Sequence, residues 1–73
     1  MNPYNCWFFG AKLPQPVFTI LHAENDGEAR RLAMHILRDS PGIEKVEVWR
    51  RGEFAFRVNQ HQVHLEIAYA GSA

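Results

Sequence analysis

The chain has 73 residues, of which 47% are hydrophobic and 22% charged, and its 8 basic residues balance its 8 acidic ones. This length allows one domain with one core, because domains commonly run to about 100–150 residues and rarely fold alone below about 40. The composition excludes a disordered or fibrous chain, and the zero net charge provides no basic field for nucleic acid or an anionic membrane.

Stability and cellular location are also constrained by the composition. A core this small rarely supplies more than about 3–5 kcal/mol, and the single cysteine, Cys6, excludes an intramolecular disulfide. A metal, a ligand or self-association is therefore expected to add stability. The lone thiol and the lack of a signal peptide or a long apolar segment indicate a complete cytoplasmic protein. We expect one domain, residues 1–73, with residues 71–73 frayed.

The N-terminal third predicts two strands joined by a surface connection. Tyr4–Phe9 is rich in aromatic residues and ends at Gly10, and Val17–Ala23 is apolar and β-branched. The intervening GAKLPQP carries two prolines, which occur at edges, strand starts and turns because proline donates no ladder hydrogen bond. The connection should therefore be exposed.

The strongest periodic pattern predicts a helix within Asn25–Gly42. Asn25 can cap its start together with Glu28, and Pro41 with Gly42 ends it. The apolar face follows helical spacing and consists of Ala29, Leu32, Ala33, Ile36 and Leu37. The opposite side is interpreted as a solvated cationic surface and comprises Arg30, Arg31, His35 and Arg38.

Two further strands, Ile43–Arg50 and Glu53–Val58, predict a hairpin whose register depends on the loop length. A two-residue loop would place Trp49 opposite Phe54 and mix charged and aromatic side chains on both faces. A three-residue loop ending at Gly52, where a left-handed residue is needed, gives one apolar row instead. That row comprises Val46, Val48, Phe54 and Phe56. We predict the three-residue loop, because a one-residue slip turns the apolar row to the wrong face.

Residues 62–70 alternate apolar and polar side chains, which is typical of a further strand. Its apolar side comprises Val63, Leu65, Ile67 and Tyr69. The predicted fold class is α+β with the order β-β-α-β-β, extended by a fifth strand if residues 62–70 pair. One helix, reached through a right-handed crossover, covers one face of a mixed sheet of four to five strands.

The sheet face away from the helix is expected to be apolar as well. Trp7 and Phe9 alternate with Cys6 and Phe8, so the first strand is apolar on both sides. Trp49 falls on the side opposite the predicted core row. Either the C-terminal tail or another copy of the chain should cover this face. The interface residues predicted on this ground are Trp7, Phe9, Trp49, Arg51 and Tyr69.

The stretch RGEFAFRV is close to the signature of RNA-recognition modules. Glu53 is inserted after Gly52, however, and Arg57 stands where an aliphatic residue belongs. If Phe54 and Phe56 stacked on bases, Arg57 would point toward the helix as an unpaired buried charge. We therefore interpret both phenylalanines as core residues and keep single-stranded nucleic-acid binding as an alternative function.

Other chemical motifs are weak. His61 and His64 would point to opposite faces of a strand and lack nearby metal ligands, so both are interpreted as surface residues. Cys6 lies in a strand-like segment without a nucleophile motif and is interpreted as a small buried residue. No catalytic site, cofactor or metal is expected. A small enzyme that uses Cys6 or a histidine is a second alternative.

The helix and the strand after it resemble short bacterial proteins of no assigned function, which combine a hairpin, a helix opening with acidic residues and alanine, and a VELW strand before a basic turn. The matching residues are Asp26, Glu28, Ala29, Ala33, Val46, Glu47, Val48, Trp49 and Arg51. The resemblance spans Tyr4 to Val58. It implies a bacterial cytosolic domain and no particular chemistry.

These observations together favour a non-enzymatic interaction or assembly module that forms a homodimer through the sheet face opposite the helix. Burying about 100 Å² of one tryptophan contributes roughly 2.5 kcal/mol, which is comparable to the whole expected stability of so small a core. Tryptophan and arginine are also enriched at interface hot spots. Another protein partner fits the same surface, whereas nucleic acid is disfavoured by the net charge and no membrane partner is expected.

Overall fold

The computed structural model describes residues 1–64, which form a four-stranded sheet with one helix packed against it. The elements in chain order are β1 (Asn2–Phe9), β2 (Val17–Ala23), α1 (Asp26–Asp39), β3 (Lys45–Arg50) and β4 (Glu53–Asn59). The predicted α+β class and β-β-α-β-β order are confirmed.

The strands lie in the order β2-β1-β3-β4, so β1 is an interior strand although it comes first in the chain. All three neighbouring pairs are antiparallel, whereas we expected a mixed sheet. The α1 crossover connects β2 to β3, which run in the same direction on either side of β1. Because β1 separates them, these two strands form no parallel pair, and the sheet is antiparallel throughout the described residues.

The core lies between the sheet and α1 and is built by alternate residues of the strands. The helix residues Ala29, Ala33 and Leu37 are buried in this core, while Leu32 and Ile36 are half-buried at the margin of the core. Alanines at the centre let the helix approach the sheet closely. The buried side chains are Tyr4, Cys6, Phe8, Ala23, Ala29, Ala33, Leu37, Val46, Val48, Val58 and Val63.

The start of α1 is capped as the sequence predicts. Asn25 is the N-cap residue, and its side-chain oxygen accepts a hydrogen bond of 2.8 Å from the backbone N–H of Glu28. Glu28 in turn accepts from the backbone N–H of Glu24 at 3.3 Å, one residue before the cap. At the other end, the Ser40 N–H donates to the Leu37 carbonyl. These contacts satisfy backbone groups that a helix leaves unpaired at its ends.

The predicted register of the hairpin between β3 and β4 is wrong. The turn has two residues, Arg51 and Gly52, with φ angles of 53° and 78°, as a tight primed hairpin turn requires. Trp49 therefore lies opposite Phe54, but further from the turn Val48 lies opposite Phe56. The register shift between these pairs leaves Ala55 as the extra residue of a β-bulge. The bulge therefore places Phe56 and Val58 on the core side, opposite Val48 and Val46, without a three-residue loop.

The two-residue turn and the bulge together place the two phenylalanines that we expected in the core on opposite faces. Phe54 is 53% exposed, so its predicted burial is wrong, and Phe56 is half-buried on the α1 side. Val58 occupies the place opposite Val46 that the three-residue loop would have given to Phe56. One extra residue in a strand thus moves every later side chain to the other face.

The strand predicted over residues 62–70 is wrong in its described part, because residues 60–64 are helical. Asn59 and Gln62 form a reciprocal capping pair, in which each side-chain oxygen accepts from the other residue's backbone N–H, at 2.8 and 2.9 Å. Gln60 Nε2 also donates to the carbonyls of Leu37 and Ile43, both at 2.7 Å. These bonds hold the segment against the C-terminal end of α1. Leu65, Ile67 and Tyr69 lie outside the described residues.

Candidate interaction surface

The sheet face away from α1 carries a set of large apolar side chains, which we call the open face. They are Trp7, Phe9, Phe18, Ile20, Trp49 and Phe54. Four of the six keep a large fraction of their surface exposed: 39% for Trp7, 45% for Phe18, 50% for Ile20 and 53% for Phe54. Soluble proteins rarely expose large contiguous apolar patches outside interaction sites, so this face is the strongest candidate for a functional surface.

Two aromatic contacts fix the geometry of the open face. The rings of Trp7 and Phe18 lie 4.8 Å apart with an angle of 50° between their planes. Trp49 and Phe54 meet edge to face at 5.6 Å and 80°. Such pairs contribute about 0.5–1.5 kcal/mol each beyond the area they bury. The exposed rings are therefore held in place before any partner arrives, which lowers the entropy cost of binding.

Polar side chains lie between the two aromatic contacts. On the two interior strands, Asn5 lies opposite Trp49, and Glu47 lies opposite Trp7. Glu47 also faces Arg57 of β4, a cross-strand arrangement that favours opposite charges. The open face therefore carries both signs of charge among its aromatic residues.

Three of the five predicted interface residues lie on this face: Trp7, Phe9 and Trp49. Phe9 is half-buried beneath Lys45, whose ammonium nitrogen lies 4.9 Å from the ring centroid, within range of a cation–π contact. Arg51 is exposed at the hairpin turn, at the end of the sheet. Tyr69 lies outside the described residues.

Sequence reasoning missed three members of the open face. Phe18 and Ile20 share a side of β2 in the alternating pattern, and this pattern could have identified them once β2 was placed beside β1. Phe54 could not be found in this way, because it shares a face with Trp49 only when the hairpin turn has two residues, whereas the sequence led us to predict three.

The indole N–H of Trp49 is buried without a hydrogen-bond acceptor in the described part of the chain. Leaving a buried donor unsatisfied costs about 1–3 kcal/mol. The favourable contact between the Trp49 ring and the Phe54 ring offsets part of this cost. Trp49 is therefore held by packing on the neighbouring ring rather than by its polar atom.

The resemblance of RGEFAFRV to an RNA-binding signature does not extend to the geometry. That signature needs two aromatic side chains on one exposed sheet face, so that both can stack on bases. Phe54 pairs with Trp49 on the open face, whereas Phe56 pairs with Val48 on the α1 side. The bulge thus places the two rings on opposite faces.

A polar cluster joins β1, the start of α1 and the end of β3. One carboxylate oxygen of Asp26 accepts two hydrogen bonds, one from the Tyr4 hydroxyl at 2.7 Å and one from the Arg50 guanidinium at 2.5 Å. The hydrogen bond to Asp26, followed by burial, raises the pKa of Tyr4. The phenol therefore stays protonated and donates. The cluster acts as a cross-link between three elements, with Asp26 at the helix end where negative charge is favoured.

A cleft of about 340 Å³ opens beside this cluster and is lined by Asn2, Arg50, Arg51 and Glu53. It contains side chains of both charge signs and no histidine or cysteine. The pKa of Cys6, which is fully buried, is raised to about 11 by burial. A nucleophilic thiol or a general base needs a pKa near neutrality. The pKa values of Tyr4 and Cys6 are instead both raised, further above neutral pH. Neither side chain is suited to catalysis at neutral pH.

The histidine pair is arranged differently from our expectation. His61 and His64 belong to a helical segment, where residues three apart share a side, and both are exposed. Within residues 1–64, no group of three or more histidine, cysteine or acidic side chains has the geometry to hold a metal ion.

Comparisons with known proteins give no family for this chain. No protein-family model matches it, and no curated protein sequence or solved structure is significantly similar. The resemblance to short bacterial proteins therefore gains no support from them. Among residues 1–64, no helix has the length and apolarity needed to span a bilayer.

Proposed function

We propose that this protein is a non-enzymatic assembly module that forms a homodimer by packing the open faces of two copies against each other. The observation that carries the proposal is the set of exposed apolar side chains Trp7, Phe18, Ile20 and Phe54 on a sheet face that α1 leaves uncovered. The candidate nucleophile, Cys6, is buried and has a raised pKa, which supports a role without catalysis.

The exposed area is of the size that a dimer needs. Aromatic side chains bury about 150–250 Å² each when covered, so the four exposed side chains leave on the order of 400 Å² of apolar surface. A standard interface buries about 800 Å² per partner, of which roughly 60% is apolar. The open face therefore supplies most of the apolar area of such an interface, and the surrounding polar residues would form its rim.

The charges of the open face suit a second copy. A two-fold interface brings the same surface onto itself, so each charged group needs an opposite charge within that surface. Glu47 lies beside Arg57, and Lys45 lies two residues away from Glu47 on the same strand. A two-fold axis that passes between Glu47 and these basic residues would set Glu47 of each copy against Lys45 or Arg57 of the other.

The C-terminal tail is the competing occupant of this face. Residues 60–64 turn toward α1, where Val63 is buried in the core and Gln60 bonds to the Leu37 carbonyl. The chain thus leaves the described region on the side of the sheet opposite Trp7. Coverage by residues 65–73 would require the tail to pass around the sheet edge, which favours a second copy.

Sedimentation across the micromolar range tests the proposal. We expect the wild type to self-associate and Phe54→Ser to raise the dissociation constant by about tenfold or more, which corresponds to about 1.4 kcal/mol. Arg31→Ser, an exposed change on α1, is the control and should leave association unchanged. A wild type that stays monomeric at high micromolar concentration would exclude the homodimer.

Single-stranded nucleic acid is the alternative ligand for the same aromatic surface, because exposed rings such as Trp7 and Phe18 can stack on bases. The zero net charge and the separation of Phe54 from Phe56 disfavour it. Titration with short DNA and RNA oligonucleotides distinguishes the two functions. Tryptophan quenching that weakens with added salt would indicate nucleic-acid binding, whereas the assembly module should show none.

A further inference from the structure

The β2 strand forms one edge of the sheet and lacks the features that protect sheet edges. Its residues Val17–Ala23 include no Asp, Glu, Lys or Arg, and it pairs with β1 over seven consecutive positions without a bulge. Three of its side chains are large, apolar and about half exposed: Val17 at 47%, Phe18 at 45% and Ile20 at 50%. Exposed apolar edges of this kind readily pair with another strand.

The opposite edge strand, β4, is protected. It carries the charged residues Glu53 and Arg57, and its ladder is interrupted by the bulge at Ala55. Charges and bulges are the means by which natural sheets prevent pairing at their edges. The contrast between the two edges indicates that β2 is left free to pair while β4 is not.

The exposed residues of β2 lie on both faces of the sheet. Val17 is opposite Phe8, which is buried on the α1 side, whereas Phe18 contacts Trp7 on the open face. A partner that docks on the open face alone leaves Val17 exposed. A strand added at the edge contacts side chains on both faces at once, because successive residues alternate between them.

We propose that β2 pairs in antiparallel fashion with β2 of a second copy, about a two-fold axis at Ile20, and so joins two four-stranded sheets into one continuous sheet. With the axis at the middle residue, all seven positions of the strand find partners. Ile20 then lies opposite the partner's Ile20, and Phe18 lies opposite the partner's His22. This contact is separate from the open face and goes beyond the homodimer proposed above.

The features of β2 favour a second copy over other occupants. A two-fold axis brings identical residues close together, so an edge without charged side chains avoids repulsion between like charges. The chain's own tail departs beside β4 and α1, where Gln60 bonds to the Leu37 carbonyl. This point lies at the β4 end of the sheet, with β3 and β1 between it and β2.

The two contacts together predict a tetramer. In it, each copy packs its open face against one neighbouring copy and pairs its β2 strand with that of another. Sedimentation of four proteins tests this arrangement: the wild type, Val17→Lys, Phe54→Ser and the double variant. Both replaced side chains are about half exposed, so the fold should tolerate the changes. We expect a tetramer for the wild type at high concentration, dimers for both single variants and a monomer for the double variant.

Hydrogen exchange identifies which contact each dimer retains. The outward-pointing amides of β2 should exchange at least about tenfold faster in Val17→Lys than in the wild type, and at the wild-type rate in the Phe54→Ser dimer. If β2 amides exchange equally fast in the wild type and Val17→Lys, the edge contact is wrong and the open-face dimer stands. If only Val17→Lys abolishes association, the open-face dimer is wrong and the edge contact stands.

Disulfide trapping tests the register. Directly opposed residues of antiparallel strands have Cα atoms about 4.5–5.5 Å apart, a distance that a disulfide can span. Ile20→Cys should therefore give a covalent dimer when oxidised with diamide, while Arg31→Cys on the exposed side of α1 should not. Cys6 is buried and will not compete. Failure of Ile20→Cys to cross-link would overturn the register centred on this residue.

Discussion

Trp49 packs edge to face against Phe54 across β3 and β4, with ring centroids 5.6 Å apart and planes inclined by 80°. The contact depends on the two-residue turn, which sets these residues opposite each other, and on the bulge at Ala55. Beyond the bulge, Val48 and Phe56 are opposed on the α1 side. One extra residue in β4 thus allows the same hairpin to contribute a valine row to the core and an aromatic pair to the open face.

A double-mutant cycle measures the energy of this ring contact. We expect Trp49→Leu and Phe54→Leu to show a coupling energy of about 0.5–1.5 kcal/mol, because either change alone removes the same edge-to-face contact. Urea unfolding at one low protein concentration gives the four free energies. The control cycle of Trp7→Leu with Phe54→Leu joins residues that do not touch and should be additive. Additivity in both cycles would contradict the contact.

The turn of the hairpin should be sensitive to loss of its glycine. Gly52 has a φ of 78°, and an added Cβ would meet no other atom within 4 Å, so backbone strain is the whole effect of Gly52→Ala. A left-handed conformation costs an L-residue about 1–2 kcal/mol, and we expect a loss of this size in the free energy of unfolding. Gly42→Ala is the matched control, because it meets no atom within 4 Å and has no positive φ. Equal effects of both changes would show that the turn has another conformation.

Gln60 anchors the segment after β4 to the end of α1. Its Nε2 donates to the Leu37 and Ile43 carbonyls at 2.7 Å. Gln60→Glu replaces this donor with a carboxylate facing carbonyl oxygens, so we expect a loss of more than about 2 kcal/mol in the free energy of unfolding. His61→Glu adds the same charge at the next, exposed position and should change stability little. Similar losses in both variants would indicate a general charge effect.

The buried thiol of Cys6 predicts a loss of stability at alkaline pH. Burial raises its pKa from 9.0 to about 11, so the folded state favours the neutral thiol. This contribution is fully present below pH 9 and is lost as the pH rises from about 9 to 11, by roughly 1.4 kcal/mol per pH unit. Tyr4, whose pKa is also raised, acts in the same direction.

Urea unfolding between about pH 8 and pH 11 separates the two contributions to this alkaline loss. Cys6→Ala should be less stable than the wild type at the lower end, because the change leaves a cavity, and its stability should fall less steeply with pH. Parallel pH profiles for the two proteins would show that the thiol is not buried in the neutral form.

Much of the fold follows from local sequence patterns. The limits of β2 agree with the apolar segment that follows Pro16, and the start of α1 follows from the Asn25 and Glu28 pair. These features depend on side-chain spacing and on hydrogen bonds between residues a few positions apart. The short helix could have been predicted by the same means, because Asn59 and Gln62 repeat the capping pattern. The alternation of residues 62–70 pointed to a strand instead.

The candidate surface was only partly determined by the sequence. Alternation in β1 placed Trp7 and Phe9 away from the core, because a strand buried on one side must turn its other residues outward. The sequence alone could not place β1 between β2 and β3, since strand order depends on contacts between residues distant in the chain. The tertiary structure also decided the hairpin register, because the bulge at Ala55 lets the ladder satisfy both the turn and the core. The two-residue turn made Phe54, an expected core residue, part of the open face, and the bulge placed Phe56 and Val58 on the α1 side.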